Sequence, residues 1–189
     1  MRFWFDADNA PHVLVMRPIA EELGKRGHEV VFTARDRGTT IELLEMYCVP
    51  YTRIGGEYGS SFLGKAIGTI RRASQLQRVA REWRIDVSFG HGSRALPIAS
   101  RRLGIPSVTM YDYEWVNPTI FNRFCTKILL PEVIDEKRCR EAGIDYSKVR
   151  HFPGFKEQLY LADAKADPAI AEELGLRPDR KKILLRPPA

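Results

Sequence analysis

Short, continuously apolar runs alternate along this chain with longer segments whose apolar residues recur every three or four positions. Residues 2–5 form the first run, which stops at Asp6. Residues 13–25 follow, with Val13, Met16, Ala20 and Leu23 in helical register and Gly24 and Gly27 predicting the end. Pro18 belongs to the first turn of that helix or kinks it. Residues 29–34 are β-branched and aromatic, a buried strand. The same reading predicts a helix at 39–47, a strand at 51–54, a loop around Gly55, Gly56 and Gly59, and a long helix at 62–83. Strands at 86–92, 105–112, 126–131 and 149–154 then alternate with helices at 93–103, 118–124 and 135–142.

Strands of this kind, each usually followed by a helix, predict a Rossmann-like α/β fold: a parallel sheet covered by helices on both faces. In such sheets ligands sit beyond the carboxyl ends of the strands, and the polar loops of this chain fall at those ends. Residues 1–175 make one domain. After a helix ending at Gly175, "KKILLRPPA" reads as a basic lead into a buried strand, so residues 176–189 are expected to be a linker and the first strand of a truncated C-terminal domain. The plainer alternative is one more edge strand on the first sheet.

Composition narrows the setting. Apolar residues make up 44% and charged residues 29% of 189 residues, which fits one sizeable globular core. No run reaches the roughly 20 apolar residues of a membrane span, and the N-terminus has no secretory pattern. Cys48, Cys125 and Cys139 are scattered and odd in number, which argues for a reducing cytosol and against zinc spacing. The net charge of +6 leaves nucleic acid, anionic membrane and phosphorylated small molecules open. Between residues 65 and 84, Lys65, Arg71, Arg72, Arg78, Arg81 and Arg84 oppose only Glu82. Leu63, Ile67, Ile70, Leu76, Val79 and Trp83 are expected to supply the buried stripe of that helix. Its cations then form a solvated face, or one that meets an anionic bilayer at the inner membrane surface. They are not interleaved with aromatics, so nucleic-acid binding by stacking is not expected.

Four strand ends carry the candidate chemistry. In "FDADNAPH", Asp6 and Asp8 are two apart, Asn9 is placed to orient a ligand, and His12 begins a helix where N–H groups favour anions and sugar hydroxyls. A histidine titrating near neutrality there is a candidate general base. The alternative for both aspartates is capping of the turn. In Gly90-His91-Gly92-Ser93 the glycines let backbone approach a phosphate or sugar. In "YDYEWVNP", Asp112, Glu114 and Asn117 stand among aromatic rings, a combination suited to sugars. Lys156 and Glu157 follow the last strand, as a surface ion pair or as part of an entrance to a second domain.

The stretches "MRFWFDADNAPHVLVMRPIAEELGKRGHEVVFTARDRGTTIELL", "DVSFGHGS", "IPSVTMYDYEW" and "FPGFKEQLYLAD" resemble domain-of-unknown-function family 354, along nearly the whole chain. That family looks like the GT-B glycosyltransferases and the non-hydrolysing UDP-N-acetylglucosamine 2-epimerases, which face a cleft with two Rossmann-like domains. The loops also resemble those of the lipid-linked murein glycosyltransferases. His12 matches the histidine that ends their first loop, although Ala10 and Pro11 replace its glycines. Glu114 matches the acid of a later loop, and Gly90–Ser93 a glycine-rich turn. The resemblance implies a nucleotide-sugar enzyme, transferring or epimerising a sugar, without metal or other cofactor. Its nucleotide sugar would be held mostly by a C-terminal domain and an acceptor by this half, inactive alone. His12 would act as base, with Glu114 and Asp6 holding hydroxyls or steadying the imidazolium. Two other readings compete. Asp6 and Asp8 resemble the pair of the haloacid dehalogenase phosphatases, with Ala10 where their motif has Thr. A non-catalytic basic binding module is the third.

Overall fold

The computed structural model describes residues 1–56, 61–162, 164–165, 167–177 and 179–185. Seven parallel strands form one sheet: β1 (Arg2–Ala7), β2 (Glu29–Ala34), β3 (Tyr51–Arg53), β4 (Val87–Gly90), β5 (Ser107–Met110), β6 (Lys127–Pro131) and β7 (Val149–Phe152). Their spatial order is β3-β2-β1-β4-β5-β6-β7. The chain first builds outward in one direction from β1, then restarts at β4 on the other side. That reversal leaves a crevice above the carboxyl ends of β1 and β4.

The helices are α1 (Ala10–Lys25), α2 (Thr40–Met46), α3 (Phe62–Ala80), α4 (Ala95–Leu103), α5 (Thr119–Phe124), α6 (Glu136–Glu141), α7 (Gln158–Leu161) and α8 (Ala169–Glu173). Side chains alternate across β1, so the two faces of the sheet receive different partners. Phe5 and Ala7 pack in a core with Val13, Met16 and Leu44 from α1 and α2. Trp4 packs on the opposite face with Ala73, Leu76, Leu96 and Ala99 from α3 and α4. A third cluster, with Phe121, Ile128 and Cys139, closes the β6 end.

Several expectations change. β1 does not stop at Asp6 but continues through Ala7, paired with β2 and β4. Helix α1 begins three residues earlier than its apolar pattern indicated, because Pro11 occupies its first turn, where a missing N–H costs nothing. Pro18 lies well inside α1 rather than in its first turn. The stripe expected of α3 holds only in its later turns: Leu76 is buried and Val79 and Trp83 pack against the same core, but Leu63, Ile67 and Ile70 are exposed, while Arg72, Ala73 and Ala80 are buried. The cause is that α3 packs on α4 through its later turns, where Ala73 and Leu76 meet Ala95, Leu96 and Ala99. Gly59 lies outside the described residues. Ile183, Leu184 and Leu185, expected as a buried strand, are exposed and belong to no strand, so they do not extend this sheet.

Candidate functional site

β1 and β4 lie side by side, with Asp6 opposite Gly90. The loops that leave them therefore start next to each other, and His12 meets His91 with ring centroids 5.0 Å apart. The two rings share the wall of a hollow of about 320 Å³. Asn9, Gly92, Arg94, Tyr111, Asp112 and Lys156 complete its polar lining, with Pro11, Met110, Tyr113 and Val116 as the apolar part. Gly92 turns the chain with φ +72°, a conformation that suits glycine. Lys156 arrives from the far end of the sheet because the chain after β7 returns to place α7 beside α1.

Polar contacts organise the rings. The backbone N–H of Asp8 donates to His12 Nδ1 at 3.2 Å. A neutral imidazole whose Nδ1 accepts carries its proton on Nε2. His91 Nε2 is buried and has no hydrogen-bond partner among the described residues; Asp112 Oδ1 lies 3.9 Å from it. The other carboxylate oxygen of Asp112 is paired with Lys156. Burial pushes the His12 pKa down to about 3, and the neighbouring His91 pushes the same way. Burial, then Lys156, brings His91 down to about 4. Both rings are thus neutral at pH 7. The Tyr111 hydroxyl is also buried without a partner, and burial pushes its pKa up.

Asp6 takes a different part from the one its position suggested. It is fully buried, on the α3 face of the sheet, and all its partners are protein groups. Arg72 donates from both terminal nitrogens, at 2.7 and 2.8 Å, to the two carboxylate oxygens. Ser93 and Thr33 each add a hydroxyl at 2.6 Å, and Trp4 Nε1 donates to Thr33 at 3.0 Å. Burial alone would raise the Asp6 pKa, but the Arg72 charge and these bonds hold it below the usual 3.8. Such a carboxylate has no free edge for a nucleophilic attack, and it lies beneath the hollow rather than on its wall. Asp8 lies 3.3 Å from Arg72 and 3.5 Å from Arg35, and burial pushes its pKa up. The aspartate pair is therefore tied to arginines, which removes the nucleophile that a phosphatase of the haloacid dehalogenase type requires.

The remaining candidates divide cleanly. Asn9, His91, Gly92, Asp112 and Lys156 line the hollow with His12. Glu114 does not: it faces α6, 3.5 Å from Arg138. Asn117 accepts from the Thr119 N–H at 3.1 Å, in the turn that precedes α5. Ser93 is committed to Asp6. Gly90 is a packing glycine, since a Cβ there would stand 3.1 Å from Leu96 Cδ2. Glu157 sits outside the lining, 3.9 Å from Lys156. Asp112 is the acid of the lining, 3.9 Å from His91 Nε2. Arg94, next to the glycine-rich turn, carries no local signal of its own, and Tyr111 is the first of the aromatic residues in the third loop. Arg72 was read as one more surface cation, and nothing in its local sequence separates it from Arg71.

A parallel sheet whose order reverses at β1 and β4, with the polar hollow at that reversal, is a Rossmann-like α/β domain of the GT-B type. Solved structures bear out the fold. UDP-GlcNAc 2-epimerase from Methanocaldococcus jannaschii superimposes with a TM-score of 0.65 at 13% identity, over 93% of this chain and 52% of that one. Anabaena Alr3699/HepE in complex with UDP and glucose does so with a TM-score of 0.63 at 19% identity, over 93% and 50%. The chain belongs to the family described as "Protein of unknown function (DUF354)", which matches residues 1–189. It is also similar to Uncharacterized protein MJ0665 of Methanocaldococcus jannaschii, 26% identical over 97% of this chain and 55% of that protein. The chain thus spans about half the length of these relatives.

Proposed function

We propose that this chain is the N-terminal, acceptor-side half of a GT-B-like enzyme that transfers or epimerises the sugar of a nucleotide sugar. The observation that carries the reading is the hollow where two neutral histidines meet above the β1/β4 reversal. A relative of the same fold holds UDP and glucose, which favours a uridine nucleotide as donor. The nucleotide would be bound mainly by a second domain, and residues 176–189 lead into it. Ile183, Leu184 and Leu185, 81%, 95% and 84% exposed, form an apolar segment suited to a strand of that domain. Incubating the full-length protein with UDP-sugars and following UDP release and sugar epimers by NMR tests the proposal. Turnover that is lost in His91→Gln supports it, and inertness toward every UDP-sugar overturns it.

The first turns of α3 support a peripheral membrane contact. Leu63, Ile67 and Ile70 are exposed at helical spacing, with Lys65 and Arg71 exposed beside them. No helix of the described residues is long and apolar enough to cross a membrane. An acceptor carried at a bilayer surface would fit this arrangement.

A further inference from the structure

From the polar contacts of the two rings we infer a division of labour between the histidines: His91 Nε2 is the proton acceptor of the hollow, and His12 Nε2–H is a fixed hydrogen-bond donor. The inference rests on the nucleotide-sugar reading for its substrate but not for its geometry.

His12 stands where a base is expected, at the start of α1 and on the wall of the hollow. Its Nδ1, however, is occupied by the Asp8 N–H, a donor that cannot reverse its role. The neutral ring then presents N–H from Nε2, and this nitrogen has no lone pair for an incoming proton. Losing the Asp8 contact would be the only way to free it, and it would orphan a half-buried N–H.

His91 has the complementary arrangement. Its Nε2 is buried and has no hydrogen-bond partner among the described residues, and a neutral ring that accepts at Nε2 carries its proton on Nδ1. The His91 side chain itself is part of the lining of the hollow. Once Nε2 is protonated, the imidazolium has Asp112 Oδ1 at 3.9 Å to balance it. The titratable groups around His91 are the neutral His12 and the charged Asp112, Lys156 and Glu157.

In glycosyl transfer the step balances without a further reactant. The acceptor O–H bond breaks and its proton goes to His91 Nε2. The oxygen's electron pair forms the bond to the sugar C1, and the bond from C1 to the diphosphate oxygen breaks, that oxygen leaving with its electrons. His12 Nε2–H and the side chains of Asn9, Arg94 and Lys156 are the lining donors available to hold the acceptor's oxygens.

Histidine-selective 15N labelling of the full-length protein reads the tautomers directly, and the chain here has only four histidines to assign. At pH 7.5 the expected spectrum shows His12 protonated on Nε2 and His91 protonated on Nδ1, with His12→Gln and His91→Gln giving the assignments. A His91 ring protonated on Nε2, or a His12 ring bare at Nε2, overturns the inference. Turnover of a UDP-sugar by the same protein gives the second readout. His91→Gln should lower kcat by at least ~100-fold and abolish the acid limb of the pH profile. His12→Gln, whose amide keeps an N–H near Nε2, should cost about 10-fold and retain that limb. Loss of the limb in His12→Gln instead overturns the assignment. If no UDP-sugar is turned over, the nucleotide-sugar reading fails, and the tautomer spectrum still decides the proton roles.

Discussion

Arg72 reaches Asp6 across 66 residues and meets both of its carboxylate oxygens, at 2.7 and 2.8 Å, with both side chains out of solvent. This fork joins α3 to β1 directly beneath the hollow, and Ser93 ties the β4–α4 loop to the same carboxylate. Removing Arg72 leaves the Asp6 charge buried without its bidentate cation. Arg72→Met is therefore expected to lower unfolding stability by about 3–5 kcal/mol in a urea titration. Arg72→Lys should lose much of the same amount, because an ammonium cannot reproduce the two-pronged geometry. The double variant Asp6→Asn/Arg72→Met should cost clearly less than the sum of the two single changes. Strict additivity would mean the pair does not act as a unit.

The histidines make the protein sensitive to mild acid. Both have folded pKa values below the ordinary 6.5, His12 at about 3 and His91 at about 4. As pH falls below 6.5 the unfolded chain takes up these protons before the folded one. Their contribution is thus complete above pH 6.5 and is lost as pH drops toward those lowered values. The slope approaches about 1.4 kcal/mol per pH unit for each histidine. Asp8, raised by burial, works in the opposite sense near and above its ordinary 3.8, so pH 7.5 to 5.5 is the clean window. Urea midpoints across that window should fall in the wild type and flatten in a His12→Gln/His91→Gln double variant. A flat wild-type profile would show that the rings are not buried as described.

Lys156 joins the hollow from a distant part of the chain, and its charge bears on both rings. It depresses both His12 and His91, after burial in each case. Replacing it by Met should raise both titration midpoints, His91 more visibly, because Asp112 is then released from its lysine to face His91 alone. Histidine ring shifts followed by NMR between pH 3 and 7 measure this. Unchanged midpoints would detach Lys156 from the site.

The exposed start of α3 predicts a lipid preference. Binding to vesicles containing anionic lipid should exceed binding to neutral vesicles, with about 1 kcal/mol per cation that reaches the surface. Ile67→Glu/Ile70→Glu should reduce sedimentation with anionic vesicles while leaving the urea midpoint nearly unchanged, since both side chains are exposed. Equal binding by the variant would assign these residues another role.

Alternating apolar runs and helical segments are enough by themselves to predict the Rossmann-like sheet. Strand positions are local properties: β-branched and aromatic runs such as Glu29–Ala34 carry their own signal, and Gly104 stops α4 in a left-handed turn wherever the helix lies. The polar residues at the strand ends were legible too, because parallel topology sends the strands' carboxyl ends to one edge. What the sequence could not contain is which polar residue faces which neighbour. Asp6 and Asp8 look alike along the chain, yet Asp6 lies within β1 and is sealed against Arg72, while Asp8, just past the end of the strand, stays partly exposed 3.3 Å from the same arginine. Arg71 and Arg72 are neighbours, and a rotation of about 100° around the helix sends one to water and the other into the core. Glu114 and Asp112 lie two residues apart, and the loop's path gives the first to Arg138 and the second to His91 and Lys156. Such choices depend on contacts between segments far apart in sequence, and only the assembled sheet brings those segments together.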